Sequence, residues 1–218
     1  MRRHPRRTAI ALVIGAVVVA IIAVTVAFTG GSPSMQVSAA ATRNGAGPAG
    51  HAQHVPAAFR WLRPGPAPAT WRSVRLPAGG AVLSYPPSLR PFGGDRGTVS
   101  EGRAARSGLV TVYLNATPRQ GEEDLRNWPS FRMRHLLADD ARSARLLNSA
   151  TGLPFRGGTG SCVMDSYVTK VHANHYREIA CYVQGAHRAS VVIAATPAAD
   201  WGQNARLLEK AISAYMAN

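Results

Sequence analysis

A long apolar run near the N-terminus restricts what this chain can fold into more than any other feature. Residues 9–28 contain no charged side chain. A helix of about 20 residues, rising 1.5 Å per residue, spans the roughly 30 Å hydrocarbon core of a bilayer. Four arginines precede the run, and no acidic residue occurs before Asp95. Because basic flanks stay inside, the pattern predicts a cytoplasmic flank at 1–8, a transmembrane helix at 9–29 and an extracytoplasmic remainder.

A cleaved signal peptide is the alternative interpretation of this segment. Small residues at 30–32 and 38–41 could support processing. The apolar region of a signal peptide is usually about 7 to 15 residues long, which is shorter than this run. The length therefore favours a retained signal-anchor and a single-pass protein of the cell membrane. Cleavage would give a secreted protein, and both alternatives place the rest of the chain outside.

Charge restricts the class of partner. The chain carries 25 Lys and Arg against 11 Asp and Glu, a formal net charge of +14. The cations are almost all arginines and are spread along the chain, without the basic clusters typical of nucleic-acid-binding proteins. Specific nucleic-acid binding is therefore not expected. Two interpretations stay open: the base composition of a high-GC genome, and attraction to an anionic envelope polymer or lipid.

Residues 30–70 are rich in Gly, Pro and Ala and are predicted to form a flexible linker. The remaining residues, 71–218, are sufficient for one domain. Alternating apolar residues predict strands in its first half at 72–76, 81–85, 98–101 and 109–114. Helical spacing after Thr117-Pro118 predicts a helix that Pro129 kinks or restarts.

The second half of the domain has a clearer pattern. Three consecutive antiparallel strands are predicted at 161–169, 176–183 and 189–195, followed by a C-terminal helix that starts at Thr196-Pro197. Ala-Thr-Pro precedes both predicted helices, which suggests that the same N-capping arrangement starts both of them. Strand meanders with separate helices indicate an α+β fold in which helices pack on an antiparallel sheet.

Two cysteines lie on the first two of these strands. In an oxidising compartment, Cys162 and Cys181 are expected to form a disulfide. A hairpin centred between Val171 and His172 would place them opposite each other. Asn174, the residue best suited to a left-handed conformation, would shift that centre by one or two residues unless a bulge intervenes. The alternative is a nucleophilic Cys162, which would need an activating base.

The same register places Asp165 opposite Glu178 and Tyr167 opposite Tyr176. Two facing carboxylates repel each other unless they share a proton or a cation lies between them, and acid–base catalysis uses such pairs. These four residues form a speculative hydrolase-type site. A neighbouring arginine would instead make the pair structural, and the absence of any familiar catalytic motif favours that interpretation.

No cofactor or metal is expected. Gly157–Gly160 is followed by a strand, where a phosphate loop would be followed by a helix N-terminus. Turn histidines at 172, 175 and 187, and the His51 and His54 pair in the linker, lack the further ligands of a metal site.

The opening of the domain resembles a known family. Trp71, a strand, Gly79-Gly80 and the sequence Ala81–Pro86 are similar to the start of PsbP-like domains. The later order of Thr-Pro, Trp-bearing helix, strand meander and final helix is similar to secreted or anchored actinobacterial members of that superfamily. The resemblance implies an antiparallel sheet sandwiched by helices. It also implies a small binding or assembly module without shared catalytic residues.

The sequence thus predicts a membrane-anchored extracytoplasmic module. Its partner would be a protein, an envelope polymer or an anionic lipid, bound without catalysis. The alternative is an envelope hydrolase that uses Asp165 and Glu178. The sequence does not indicate an oligomeric state.

Overall fold

The computed structural model describes residues 55–218. The predicted basic flank, transmembrane helix and residues 30–54 of the predicted linker lie outside this range. Within 55–218, no helix combines the length and apolar character needed to cross a bilayer.

Two antiparallel sheets build the domain. A seven-stranded sheet has the spatial order β3-β4-β5-β9-β8-β7-β6, and a smaller sheet has the order β1-β2-β10. The strands are β1 (Arg72–Arg75), β2 (Ala81–Tyr85), β3 (Arg90–Pro91), β4 (Val99–Ala104), β5 (Val110–Pro118), β6 (Ala141–Phe155), β7 (Gly158–Thr169), β8 (His175–Gly185), β9 (Ala189–Pro197) and β10 (Met216–Ala217).

Two helices cover opposite faces of the large sheet. Helix α1 (Trp128–His135), which continues as a π-helix over Leu136–Asp140, packs through Trp128 on Val163, Ala180 and Tyr182. Helix α2 (Trp201–Ala214) shares the main core with the disulfide and with apolar residues of β7, β8 and β9. Successive strand residues point to opposite faces, so each strand supplies both layers. We call these the α1 face and the α2 face.

The ordered domain begins before the predicted boundary at residue 71. Ala57–Phe59 forms a 3₁₀ turn, and Phe59 and Leu62 are buried in the main core. The Gly65 N–H then donates to the Ser213 carbonyl at 3.1 Å. The linker prediction counted Gly and Pro residues and gave too little weight to these two apolar side chains, which α2 covers.

The first Ala-Thr-Pro segment does not start a helix, contrary to the prediction. Strand β5 continues to Pro118, and α1 begins only at Trp128, with Pro129 in its first turn. The second segment ends β9 at Pro197, and a 3₁₀ turn then leads into α2 close to the predicted start. The Thr196 hydroxyl donates to the Thr111 carbonyl on the neighbouring strand at 2.8 Å, so it ties strands together instead of capping a helix.

The longest strand, β6, was not predicted. It pairs with β7 along 15 residues and forms one edge of the large sheet. Three register shifts interrupt it, so its side chains never alternate long enough to resemble a strand. Bulges, exposed arginines and Pro154 also protect such an edge from pairing with other chains.

The β7–β8 hairpin has the predicted register. Pairing runs without interruption from Gly158 opposite Gly185 to Val168 opposite His175. The left-handed residues are His172 (φ 64°) and Ala173 (φ 53°), not Asn174. Asn174 closes the loop instead, because its N–H donates to the Thr169 hydroxyl and its carbonyl accepts from the Thr169 N–H. The register shift that Asn174 might have caused is therefore absent.

Candidate functional site

The cysteines form a buried disulfide on the α2 face. Cys162 and Cys181 are directly opposite each other, with 4.1 Å between their Cα atoms, and neither is exposed. Both cysteines of the chain are used in this bond. A nucleophilic Cys162 is therefore excluded, and the bond joins the two central strands of the meander.

The predicted carboxylate pair lies on the opposite face. Asp165 and Glu178 are opposite each other on β7 and β8, and 0% and 1% of their respective surfaces are exposed. Helix α1 lies above them. Register and alternation thus bring these two side chains together, and the helix that seals them comes from a distant part of the chain.

A buried arginine from α1 pairs with Glu178. The Nη2 and Nε atoms of Arg132 lie 2.7 and 2.8 Å from Glu178 Oε1, and Arg132 is 5% exposed. Burial by itself would lower the pKa of Arg132, but the neighbouring charges, led by that of Glu178, outweigh burial and raise it. Of the two interpretations left open by the sequence, the structural ion pair is the one seen for Glu178. The sequence did not single out Arg132, because 46 residues separate it from its partner.

Asp165 differs from Glu178 in its protonation. No N–H or O–H group of the described residues donates a hydrogen bond to either carboxyl oxygen. Burial, followed by the charge of Glu178, raises the pKa of Asp165 to about 9, and Arg132 opposes this shift. At neutral pH Asp165 therefore keeps its proton and can donate it to the Glu178 carboxylate. The three side chains together are electrically neutral.

The two tyrosines next to the pair are stacked. Their ring centroids are 5.7 Å apart and the planes are inclined by 17°. The Tyr176 hydroxyl donates to the Val110 carbonyl at 2.9 Å, and burial raises its pKa. Burial and the charge of Glu178 raise the pKa of Tyr167 well above its usual value. Neither hydroxyl ionises near neutral pH, so neither supplies a base.

The carboxylates have no access to a substrate in this structure. Both are buried, and Trp128 fixes the start of α1 on the same face by donating its indole N–H to the Ala180 carbonyl at 3.0 Å. A shallow groove of about 280 Å³ lies near the hairpin tip, but neither Asp165 nor Glu178 lines it. A general acid or base must lie within hydrogen-bond reach of the substrate. The arrangement is thus suited to holding α1 on the sheet.

The turn histidines do not converge. His175 begins β8 at the hairpin tip, whereas His187 follows the far end of that 11-residue strand. At about 3.3 Å per residue, the strand separates them by about 30 Å. Within 55–218, no three side chains of the metal-binding types come together. The His51 and His54 pair lies outside the described residues.

A second groove, of about 250 Å³, runs between α2 and the segment that precedes the first strand. We call it the α2 groove. Three of its six lining residues are basic; the lining is Trp61, Arg63, Arg206, Glu209, Lys210 and Ser213. No local sequence pattern predicts this groove, because its two walls are more than 140 residues apart along the chain. The spacing of Arg206 and Lys210, one helical turn, was the only local signal.

Comparisons with known proteins show a likeness in fold. No protein-family model matches the sequence, and no curated protein is significantly similar to it. Among solved structures, the chain is similar to cyanobacterial PsbP (CyanoP) from Synechocystis sp. PCC 6803, at 14% identity and a TM-score of 0.49, over 70% of this chain and 95% of that one.

Two further structures are similar at lower TM-scores. LpqN, described as involved in cell envelope biogenesis of Mycobacterium tuberculosis, is 12% identical with a TM-score of 0.41, over 67% of this chain and 89% of that one. A protein of unknown function from Pseudomonas aeruginosa is 8% identical with a TM-score of 0.39, over 66% of this chain and 94% of that one. Likenesses at this level do not define a function.

Proposed function

We propose that this chain is a membrane-tethered extracytoplasmic module that binds an anionic partner of the cell envelope without catalysis. The unpaired positive charge of the domain is the observation that carries the proposal. The apolar run at 9–28 supplies the tether, as the sequence predicts.

The domain has far more cations than it can neutralise internally. Five of the 25 Lys and Arg residues precede Val55, which leaves 20 in the described range, and 17 of these are exposed. Within 55–218, Arg132 is the single Lys or Arg in an ion pair with a carboxylate. All 11 acidic residues lie at or after Asp95, so the N-terminal residues hold no carboxylate that could pair with the others. Such a surface attracts anions and accelerates their association.

The disulfide supports an extracytoplasmic location. Structural disulfides persist in oxidising compartments and are rare in the cytosol. Cys162 and Cys181 are fully buried in the core, as expected for a structural bond. This agrees with the orientation that the N-terminal arginines predict.

The hydrolase alternative has less support. Asp165 and Glu178 lie beneath α1, and Arg132 occupies the polar space beside them. Catalysis would require α1 to leave the sheet and expose Trp128, which is 2% exposed. A role in binding needs no such rearrangement.

Titration of the full-length protein in a neutral detergent tests the proposal. Poly(glycerol phosphate) and poly(glutamate) serve as anionic probes, and dextran serves as the neutral control. We expect binding to both polyanions with an affinity that falls steeply with salt, because exposed charges are screened within about 10 Å at 0.1 M. We expect no binding to dextran. Equal affinity for all three polymers, or none for any at low salt, would contradict the proposal.

A further inference from the structure

We propose that the α2 groove binds the anionic headgroups of phospholipids in the membrane to which the chain is tethered. This inference rests on the proposed function and assigns it a site. Neither the sequence patterns nor the comparisons with other proteins indicate this groove.

One wall of the groove is a single stripe of α2. Arg206, Glu209, Lys210 and Ser213 follow the i, i+3, i+4, i+7 spacing that brings residues onto one side of a helix. The opposite side of α2 is buried in the main core through Leu208, Ala211 and Ile212. The apolar side therefore fixes the rotation of the helix, and the basic stripe faces away from the core.

The other wall is the segment from Trp61 to Gly65. Backbone hydrogen bonds hold it against the last turn of α2: Arg63 N–H donates to Ser213 Oγ at 3.4 Å and Gly65 N–H to the Ser213 carbonyl at 3.1 Å. This places the Arg63 side chain beside the stripe with Arg206 and Lys210. Three cations from two distant parts of the chain thus line one groove.

These three cations outnumber the carboxylates of the groove and form no direct ion pair with any of them. Arg63, Arg206 and Lys210 form no ion pair and no side-chain hydrogen bond within 55–218, and residues 1–54 contain no acidic residue. Glu209 is the only acid in the lining. It is half-buried, and burial raises its pKa although Arg206 and Arg177 oppose the shift. The groove therefore keeps a net positive charge that a phosphate could neutralise.

Trp61 favours a lipid over a free phosphate. Its indole N–H donates to the Ala58 carbonyl at 2.7 Å, so the ring lines the groove with its polar group already satisfied. An apolar ring beside cations suits an amphiphile, which has an anionic group next to an apolar one. Tryptophan is enriched at membrane interfaces for this reason.

The length of the chain keeps this groove within reach of a bilayer. Only 26 residues separate Phe28, the end of the apolar run, from Val55. Fully extended, they span at most about 90 Å. Trp61 follows Val55 by six residues, so one wall of the groove is close in sequence to the proposed anchor. A tethered domain meets its own membrane at high effective concentration.

Reconstitution of the full-length protein in nanodiscs tests the site. The discs contain phosphatidylcholine with or without phosphatidylglycerol, plus a lipid with a headgroup-attached quencher. A fluorophore is placed on Gln203→Cys, which is exposed one turn before Arg206 on the same stripe. The native disulfide stays intact, so only this cysteine is labelled.

We expect quenching in discs with phosphatidylglycerol and little in discs without it. The variant Arg63→Gln/Arg206→Gln/Lys210→Gln should lose it, since each membrane-adjacent cation contributes to binding and three together change affinity on the order of 100-fold. Arg96→Gln/Arg106→Gln/Arg126→Gln has the same net charge, removes three exposed arginines elsewhere and should behave as the wild type. An intact disulfide and an unchanged circular dichroism spectrum show that both variants are folded.

Three results would overturn the inference. Equal loss of quenching in both triple variants would show that net charge attracts the domain to the lipid without a specific site. Absence of any phosphatidylglycerol effect would exclude the lipid, and the polyanion titration would then decide separately whether the proposed function survives. Release of the quenching by millimolar inorganic phosphate at constant ionic strength would show that the groove binds free phosphate instead of a lipid headgroup.

Discussion

At the scale of single residues, Asp165 couples folding to pH. The pKa of Asp165 is about 9 in the folded protein, against about 3.9 for an aspartate in an unfolded chain. Between these two values the folded state binds a proton that the unfolded state lacks. The contribution of this group to stability is therefore complete below about pH 4 and is lost progressively as the pH rises towards 9.

Asp165→Asn should remove this dependence. We expect the free energy of unfolding of the wild type to fall by up to about 1.4 kcal/mol per pH unit between pH 5 and 8, for one proton. The asparagine variant should have a flatter profile, because an amide donates to Glu178 without titrating. Urea unfolding at several pH values measures both slopes. Asp95→Asn, at an exposed position that forms no ion pair within 55–218, is the control. Identical slopes for Asp165→Asn and the wild type would contradict the account.

Arg132 has a charge-balancing role that can be tested separately. Arg132→Met leaves Glu178 buried without its counter-charge, and breaking a buried ion pair in this way costs about 3–5 kcal/mol. Arg134→Met, two residues away on the exposed side of α1, should change the free energy of unfolding by less than about 0.5 kcal/mol. Chemical denaturation at neutral pH compares them. Similar values for the two variants would show that the ion pair contributes no stability.

At the scale of secondary-structure elements, the sequence predicts the β7–β8 hairpin well. Both strands alternate without bulges, so the Cys162–Cys181 pairing and the Asp165–Glu178 pairing follow from the same register. Strand β6 is not predictable in this way, because three register shifts interrupt its pattern. Thr117-Pro118 has the composition of a helix start, yet pairing of these two residues with β9 keeps them extended.

The candidate sites also differ in whether local sequence patterns predict them. Asp165 and Glu178 could be paired from local alternation, since they belong to one hairpin. Arg132 reaches Glu178 from a separate helix, and the walls of the α2 groove come from residues near 62 and near 210. Contacts of this kind depend on tertiary packing, which no local pattern encodes.

A further prediction concerns Gly157, where the large sheet contacts β10 of the small sheet. Gly157 has a φ of +77°, and a Cβ there would overlap the Ala217 carbonyl oxygen of β10. Gly79 has a similar φ of +74° with nothing close to its Cβ position. Both alanine substitutions incur the backbone cost of about 1–2 kcal/mol, and Gly157→Ala adds about 1–3 kcal/mol of overlap. Thermal unfolding of both variants distinguishes the two contributions. Equal losses of stability would mean that β10 moves away from the new Cβ at no measurable cost.

At the scale of the whole molecule, the two faces of the large sheet have different tasks. The α1 face holds a neutral, sealed cluster of Arg132, Asp165 and Glu178, which fixes a helix. The α2 face holds the disulfide and carries the basic groove on its outer side. The described part of the chain begins next to this face, because Phe59 and Leu62 belong to the main core and Arg63 lines the groove.

The location of the domain is the claim on which this account depends most. Protease treatment of intact cells that express the full-length protein, followed by maleimide labelling of denatured membrane fractions with and without prior reduction, measures it directly. We predict that the domain is digested in intact cells and that Cys162 and Cys181 react only after reduction. A domain protected until the cells are lysed, with both thiols free, would contradict an extracytoplasmic binding module.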